Sequence, residues 1–365
     1  MAANYYGNNS GMNSSRSSTD NSAVVGIDPI AVDPRLADAD DERALDYLMD
    51  GDTFSVTSSI YDYRYENGRT YHRYRDGAYL MPNDEIEKDR LDIVHHMYLV
   101  FLGGRLTLAP IDNPARVLDV GTGTGIWAIA LADQLPKTSQ IIGTDLSPIQ
   151  PEWVPPNCQF EIDDAESEWT FPPNHFDFIH SRHLNLSMRD WKSYIERLYH
   201  HTTPGGYIEI VEHNISAHSD DGTYIPGGPV HVYMEKVGAC AVQSGLLIHP
   251  APALKRMCRE AGFVDIQHTV KKLPWGPWAE DETLKELGRW ARLVLMTGLE
   301  AYGMALMTRV GGYTSEQAAA VCDGALSTLS DRSAHIYNYH HFIVARKPNV
   351  GEVVPPPGRP SGPRS

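Results

Sequence analysis

Hydrophobic residues along the chain follow two alternating patterns, one typical of buried strands and the other of amphipathic helices. Short apolar runs end in polar or charged residues at ARVLDV, QIIGTDLS, CQFEIDDAE, HFDFIHSR and GYIEIVEH, and again near the C-terminus at HHFIVARKP. Helical patterns lie between them, as in IWAIALADQL, whose apolar positions include Ile126, Ile129, Ala130 and Leu135. Strands that alternate with helices favour a parallel sheet that helices cover on both faces. The pattern therefore predicts an α/β fold.

Another helical pattern precedes the first of these strands. Its apolar residues recur every three or four positions, at Leu91, Val94, Tyr98, Phe101 and Leu102. Asp84, followed three residues later by Glu87, resembles a capping box, and Gly103 with Gly104 is the expected end of the helix. Residues 61–81, just upstream, interleave tyrosine with arginine. We interpret residues 56–112 as a cap segment in front of the main domain.

The charge of the chain restricts its partners. The 365 residues carry a formal net charge of -16, and such a surface repels phosphate backbones, so direct nucleic-acid binding is not expected. No apolar run reaches the roughly 18 residues that a membrane span needs, and the N-terminus has no basic segment followed by an apolar one. We expect a soluble, intracellular protein without a membrane partner. The cytoplasm is favoured over the nucleus because no basic cluster supports nuclear import.

Composition also sets the expected domain limits. Residues 1–55 are polar and acidic, and residues 349–365 are rich in proline, so we expect both segments to be disordered. The cap segment and the alternating strands and helices, at 113–348, lie between them. The four cysteines are far apart and form no C-x-x-C pair, so neither a disulfide framework nor a metal site is expected.

The first predicted strand leads directly into three glycines, in VLDVGTGTG. Gly121, Gly123 and Gly125 allow the backbone to turn tightly and to approach a ligand without Cβ clashes. The dinucleotide fingerprint G-x-G-x-x-G would need its third glycine at position 126, where this chain has isoleucine. Asp119 precedes the first glycine by two residues, where a carboxylate suits a cationic ligand better than a pyrophosphate. The pattern favours S-adenosyl-L-methionine, whose α-amino and sulfonium groups are cationic; an ordinary tight turn is the alternative.

Two further carboxylates and a histidine follow later strands. Asp145 ends the second predicted strand, 20 positions beyond Gly125, where an acidic residue commonly accepts hydrogen bonds from ribose hydroxyls. Asp164 follows the third strand and could bond the adenine amino group. His180 follows the fourth strand, predicted at Phe176–Ile179. Ligands bind outside the carboxyl ends of the strands in an open parallel sheet, so we expect one cofactor site here. Each aspartate taken alone is more readily a solvated strand-end residue.

Methyl transfer to a hydroxyl group would also need a general base. His180 and His183 follow the fourth predicted strand, and His213 follows the fifth. We take His183 and His213 as the catalytic candidates, with Glu212 as a weaker one; packing roles are the alternative, as for most of the 16 histidines. Three tryptophans either line an acceptor pocket or belong to the core: Trp275, Trp278 and Trp290.

Longer segments resemble one family. ENGRTYHRYRDGAYLMPNDE is followed by EKDRLDIVHHMYLVFLGG, by RVLDVGTGTGIWAIALAD and by TDLSPIQPEWVPPNCQFEIDDAE, and later by TPGGYIEIVEH, LPWGPW and HHFIVARKP. Over roughly residues 61–348 the sequence resembles the fungal LaeA-like methyltransferases, which include tailoring enzymes and regulators of secondary metabolism. The likeness implies a Rossmann-like class I methyltransferase fold, in which a seven-stranded, mostly parallel sheet has helices on both faces and follows a helical and aromatic cap.

The resemblance implies roles for individual residues and a function. Asp119 and the three glycines would hold the methionine moiety, Asp145 the ribose and Asp164 the adenine, while Tyr71 and Arg69 would lie over the cofactor. The implied function is methyl transfer from S-adenosyl-L-methionine to a small-molecule acceptor in fungal secondary metabolism.

Two other functions stay open on this sequence. One is a nuclear regulator of secondary metabolism and development that acts through partner proteins, since one fold serves both roles. The other is an NAD-dependent oxidoreductase. The chain departs from LaeA at Thr122 in the glycine loop, in HLNLSMRDW after Arg182, and in the acidic segment 28–52. The last two segments could contact the acceptor.

Overall fold

The computed structural model describes residues 27–35, 64–66, 69–71 and 82–353, without the side chains of Arg64 and Tyr65. The predicted disorder at 1–26, 36–55 and 354–365 therefore lies outside the described residues. So does most of the segment at 61–81 that interleaves tyrosine with arginine.

A central sheet of seven strands follows a short hairpin of β1 (Arg64–Glu66) and β2 (Arg69–Tyr71). Its strands, in chain order, are β3 (Arg116–Val120), β4 (Gln140–Asp145), β5 (Cys158–Ile162), β6 (Phe176–Arg182), β7 (Thr202–His213), β8 (Val264–Pro274) and β9 (Tyr337–Arg346). The order across the sheet is β5-β4-β3-β6-β7-β9-β8, and β9 runs antiparallel to the other six strands. The predicted α/β fold with a mostly parallel, seven-stranded sheet is confirmed.

The strand order reverses between β3 and β6. Consecutive strands from β3 are added on one side of it, through β4 to β5, and the chain then crosses to β6 on the other side. Such a switch point opens a crevice at the carboxyl ends of the two strands, where ligands bind in open α/β sheets. The glycine-rich turn after β3 and the segment after β6 both lie there. β6 continues to Arg182, beyond its predicted end at Ile179, so His180 lies within the sheet.

Seven α-helices accompany the sheet in the described residues. They are α1 (Glu85–Phe101), α2 (Ile126–Gln134), α3 (Trp191–His201), α4 (Pro229–Gln243), α5 (Ala251–Ala261), α6 (Glu282–Ala305) and α7 (Ser315–Ser330), and one π-helical turn (Leu306–Val310) follows α6. Within the described residues, no helix combines the length and the apolar character needed to cross a bilayer. α4, α6 and α7 pack around a shared apolar cluster that includes Tyr233, Leu299 and Cys322.

The helix α1 begins as its sequence predicts, with one difference. The Asp84 carboxylate accepts a hydrogen bond from the backbone N–H of Glu87 at 3.0 Å, which is half of a capping box. The Glu87 side chain does not return this bond, because it pairs with Arg90 inside the protein. Arg69, on β2, also binds Asp84 and so ties the hairpin to the start of α1.

Part of the N-terminal segment predicted to be disordered is ordered, which corrects that prediction for residues 27–35. The prediction is likewise wrong for residues 349–353, where Glu352 pairs with Arg346 and accepts the Asn349 N–H. Val32 forms a β-bridge with Ala279, and the backbone N–H of Asp33 donates to the Trp278 carbonyl at 2.8 Å. The Asp33 carboxylate also forms an ion pair with Lys285 of α6. Composition missed this contact because a few apolar residues and one ion pair suffice to hold a short strand against the domain.

Candidate active site

The turn after β3 depends on its glycines. Gly121, Gly123 and Gly125 have φ angles of 69°, 59° and 80°, in the left-handed region that other residues rarely adopt. Space is also restricted, since a Cβ at Gly121 would lie 2.5 Å from Leu184 and one at Gly125 would lie 2.2 Å from the Phe160 ring. The backbone N–H groups of the turn reach across to β4, where Gly121 donates to the Thr144 carbonyl at 2.8 Å. The sequence thus brings the loop close to both neighbouring strand ends.

Asp119 and His180 lie behind this loop. They face each other in the register of the parallel strands β3 and β6, and His180 Nδ1 is 2.8 Å from one Asp119 oxygen. The other Asp119 oxygen accepts the Thr122 hydroxyl at 2.6 Å. The His180 ring stacks on Trp127 at 3.8 Å, and both Asp119 and His180 are buried. Their described contacts hold the loop from inside the protein, and direct contact with a ligand stays a prediction for both.

A cleft lies at the carboxyl ends of β3, β4, β5 and β6, and we call it the strand-end cleft. It is lined by four of the predicted cofactor-binding residues, namely Gly121, Gly123, Asp145 and Asp164. The third glycine, Gly125, is not part of this lining and instead forms the N-cap of α2.

The two predicted aspartates of the cleft, Asp145 and Asp164, are held in place by backbone groups. Asp145 accepts the N–H of Gly123 at 2.8 Å and that of Ser147 at 2.9 Å, and burial raises its pKa to about 6. Asp164 accepts the N–H of Glu166 at 2.9 Å. A carboxylate has about four lone-pair positions, so both residues can still accept bonds from a ligand.

Two arginines that sequence reasoning did not assign also line the cleft. Arg90 of α1 pairs with Glu87 and donates to the Tyr302 hydroxyl at 3.0 Å. Arg182, the last residue of β6, has its guanidinium 4.7 Å from the Tyr98 ring centroid, and burial lowers its pKa. The position of Arg182 at a strand end was a signal available in the sequence, whereas nothing in the sequence brings Arg90 to this cleft.

The groups around the strand-end cleft fit S-adenosylmethionine. That ligand has a carboxylate, for which guanidinium groups are the preferred partners, and a ribose diol and an adenine amino group, which donate to carboxylates. Arg182 with Arg90 and Asp145 with Asp164 supply both kinds of group along one cleft. Gly121 and Gly123 also let the backbone approach the ligand closely.

A second cavity adjoins the cleft, and we call it the apolar cavity. Most of its wall is aliphatic or aromatic and comes from α1, α4, α6 and β8, including Met97, Tyr233, Val237, Leu273, Trp275, Leu295 and Leu299. Its polar members include His183, His213, Asn214, Ser216, Asn338 and His340. His183, Leu186 and Tyr302 line both spaces, so the two cavities meet at these side chains.

Three histidines meet at this junction. The rings of His183 and His213, the two catalytic candidates, have their centroids 4.8 Å apart. His340 of β9 stacks on His213 at 5.2 Å and was not predicted from the sequence. Burial lowers the His213 pKa to about 4 and the His183 and His340 pKa values well below their usual range, so all three rings are neutral at neutral pH.

The other sequence candidates lie in different places. Tyr71 is buried in the apolar cluster of α4, α6 and α7, under the guanidinium of Arg309, and does not line the strand-end cleft. Among the three tryptophans, Trp275 lines the apolar cavity, whereas Trp278 packs beside Tyr337 and Trp290 packs on His96. Glu212 accepts the Leu184 N–H at 2.6 Å, and burial raises its pKa to about 8.

The strand order, the glycine turn and the polar groups of the cleft together define a class I methyltransferase that uses S-adenosylmethionine as its methyl donor. Comparison with known proteins agrees, since a family described as a methyltransferase domain matches residues 93–268. Relatives that are 34–40% identical over about four fifths of the chain show that it belongs to the fungal LaeA-like methyltransferase family.

Three relatives show the range of that family. Methyltransferase pytC of Aspergillus terreus is 40% identical over 300 residues, which are 82% of this chain and 92% of pytC. The secondary metabolism regulator LAE1 of Cochliobolus heterostrophus is 37% identical over 290 residues, which are 78% of this chain and 94% of LAE1. The protein-methionine methyltransferase laeA of Emericella nidulans is 34% identical over 297 residues, which are 81% of this chain and 79% of laeA.

Proposed function

We propose that the protein methylates a small apolar molecule of fungal secondary metabolism, with the methyl donor in the strand-end cleft and the acceptor in the apolar cavity. The junction of the two cavities at His183, Leu186 and Tyr302 is the observation that carries this proposal. A methyl group transferred there would pass between the two sites without entering bulk water. The names of the relatives, one a methyltransferase and one a regulator of secondary metabolism, support the biological setting.

The roles that we assign in the strand-end cleft follow from the contacts described above. Asp145 would accept bonds from the ribose hydroxyls, and Asp164 would accept the adenine amino group. Arg182 and Arg90 would bind the α-carboxylate. Asp119 and His180 would hold the glycine turn in its observed conformation through the hydrogen bond of Asp119 to Thr122.

The wall of the apolar cavity restricts the charge of the acceptor. None of its described lining residues is a lysine, arginine, aspartate or glutamate. Burial of an unpaired charge in such surroundings costs several kcal/mol. An uncharged acceptor with extensive apolar surface therefore fits this cavity best.

The catalytic contribution that we propose is mainly positional. Bound S-adenosylmethionine supplies an electrophilic methyl group on a positively charged sulfur. When the acceptor atom is held in line with the carbon–sulfur bond, orientation and avoided solvent reorganisation lower the activation barrier by about 7 to 11 kcal/mol. His183 and His213 are neutral at the junction, so each keeps a lone pair with which it could take a proton from an acceptor hydroxyl.

Calorimetric titration with S-adenosylhomocysteine tests the strand-end cleft. Asp145→Asn should weaken binding by at least about tenfold, since it removes a charged acceptor worth about 1.5–3 kcal/mol. Asp133→Asn, at an exposed aspartate of α2, is the matched control and should bind as the unmodified protein does. Absence of binding heat with the folded protein would contradict the proposal. Loss of a methylated metabolite when the gene is deleted would support the proposed acceptor class.

A protein acceptor or partner is the second candidate, because one relative is named a regulator and another a protein-methionine methyltransferase. Met188 lines the strand-end cleft and Met97 lines the apolar cavity, so thioethers of the chain itself lie at both sites. Intact-mass measurement after incubation with S-adenosylmethionine would detect self-methylation. Stable recovery with transcriptional regulators from native cells would favour a nuclear regulatory role over the cytoplasmic location that we propose.

A further inference from the structure

The Tyr98 hydroxyl lies between two imidazole rings at the junction of the cavities. Its oxygen is 2.7 Å from His183 Nε2 and 2.7 Å from His340 Nδ1. The three side chains come from α1, from the turn after β6 and from β9. One hydroxyl therefore connects two histidines that belong to different parts of the fold.

The single hydroxyl proton of Tyr98 couples the tautomers of the two imidazole rings. Each neutral imidazole has one N–H donor and one bare acceptor nitrogen. The Tyr98 hydroxyl can donate to one ring only, so it must accept an N–H from the other. When it donates to His340, His183 carries its proton on Nε2 and leaves Nδ1 bare. When it donates to His183, the bare nitrogen is His340 Nε2, which is buried without a hydrogen-bond partner in the described residues.

His183 is the member of this unit that lines both cavities. Its Nε2 is bonded to Tyr98, and its Nδ1 has no hydrogen-bond partner among the described residues. Its backbone φ of 61° lies in the left-handed region, which is uncommon for a residue other than glycine and costs energy. Strain of this kind is often found where a side chain is held at a functional site.

We propose that His183, Tyr98 and His340 form a proton relay that accepts the hydroxyl proton of a phenol- or enol-type acceptor during methyl transfer. This inference rests on the proposed function. The acceptor oxygen bonds the methyl carbon, the electron pair of the broken carbon–sulfur bond stays on sulfur, and the acceptor proton moves to His183 Nδ1. His183 then passes its Nε2 proton to Tyr98, and Tyr98 passes its own proton to His340 Nδ1. The proton leaves to water after product release.

Burial is the main cause of the low pKa values of both His183 and His340; Arg182 and Arg90 add to it at His183, and His341 adds to it at His340. Weakly basic imidazoles take protons most readily from acidic hydroxyls, and phenols, with a pKa of about 10, are far more acidic than aliphatic alcohols.

A metal ion is the competing use of these histidines. The candidate ligand atoms of His183, His213 and His340 lie within 4.8 Å of one another. Nitrogen ligands around a tetrahedral zinc ion are about 3.4 Å apart, as the zinc–nitrogen distance requires. The positive potential of Arg182 and Arg90 also opposes a dication at His183. The structure therefore favours the relay, and metal binding becomes an outcome of the test.

Tyr98→Phe removes the central hydroxyl and keeps the ring that packs on Phe101 and Phe342. Tyr233→Phe is the matched control, since it removes another buried tyrosine hydroxyl, which donates to the Leu299 carbonyl at 2.7 Å and is not bonded to either histidine. Nitrogen-15 NMR of histidine-labelled protein reports the tautomer of each ring. His183→Asn assigns the His183 signals and suits the left-handed backbone, because asparagine tolerates that conformation.

We expect complementary tautomers for His183 and His340, a change of both in Tyr98→Phe and no change in Tyr233→Phe. Turnover of a naphthol or of a cyclic diketone in its enol form should fall at least tenfold in Tyr98→Phe, with S-adenosylhomocysteine affinity within twofold of the unmodified protein. Unaltered tautomers in Tyr98→Phe would overturn the relay, as would one tightly bound metal ion per chain. Failure of the unmodified protein to methylate either probe would overturn the acceptor class. Retained S-adenosylhomocysteine binding separates these failures from failure of the proposed function.

Discussion

Substitution of Asp119 tests whether the carboxylate before the glycine turn contacts the ligand or holds the turn in its conformation. Its two oxygens accept the Thr122 hydroxyl at 2.6 Å and bind His180 Nδ1 at 2.8 Å, and the residue is buried. Asp119→Asn keeps an oxygen for Thr122, and its amide can donate to His180 if that ring changes tautomer. Asp119→Ala leaves both partners without a hydrogen bond inside the protein.

The two variants should lower the free energy of unfolding by different amounts. A hydrogen bond to a charged group contributes about 1.5–3 kcal/mol and a neutral one about 0.5–1.5 kcal/mol, so Asp119→Asn should destabilise the fold by about 2 kcal/mol over two bonds. Two buried groups left unpaired cost about 1–3 kcal/mol each, so Asp119→Ala should cost about 2–6 kcal/mol. Chemical denaturation measures both.

Ligand affinity separates the two roles of Asp119. If its carboxylate only shapes the turn, Asp119→Asn should bind S-adenosylmethionine within about threefold of the unmodified protein in calorimetry. A direct contact with the cationic ligand would instead cost about 1.5–3 kcal/mol, or roughly ten- to a hundredfold in affinity. A tenfold loss in Asp119→Asn without loss of stability would refute the positioning role derived from its contacts with Thr122 and His180.

Three further predictions concern the turn, a buried acid and the apolar cavity. Gly125→Ala places a Cβ 2.2 Å from the Phe160 ring, whereas a Cβ at Gly104 has no atom within 4 Å. Gly104→Ala should lower the free energy of unfolding by the about 1–2 kcal/mol of left-handed strain, and Gly125→Ala should lower it by more. Equal losses in chemical denaturation would contradict this prediction. Burial raises the Glu212 pKa from 4.5 to about 8, so stability from the protonated acid is complete below about pH 4.5 and is lost as the pH rises through about 8. Glu212→Gln should reduce that decline in urea unfolding, and an unchanged slope would show that another group causes it. Leu295→Trp, in the wall of the apolar cavity, should block methylation of the acceptor and leave S-adenosylhomocysteine affinity within twofold; a parallel loss of affinity in calorimetry would argue against two separate sites.

Several residues show how much of the site the local sequence pattern could predict. Gly121, Gly123, Asp145 and Asp164 line the strand-end cleft, as their positions at strand ends predict. The same rule places Arg182 there, although no role was assigned to it. His180 shows the limit of this reasoning: β6 continues to Arg182 through its pairing with β7, so His180 lies inside the sheet against Trp127. Strand length depends on the neighbouring strands, and periodicity along one segment does not contain that information.

The sequence by itself determined the α/β class and the glycine turn, and it favoured S-adenosylmethionine as the methyl donor, because hydrophobic period and glycine spacing are properties of short segments. Only the tertiary structure decided which side chains from distant segments meet at the junction of the two cavities. Tyr98 and His340 are 242 positions apart, and they meet beside His183 because Tyr98 of α1 bonds one ring just after the carboxyl end of β6 and the other in the amino-terminal half of β9, which runs antiparallel to β7. Burial then makes these groups neutral, since the pKa of a side chain depends on its surroundings in three dimensions.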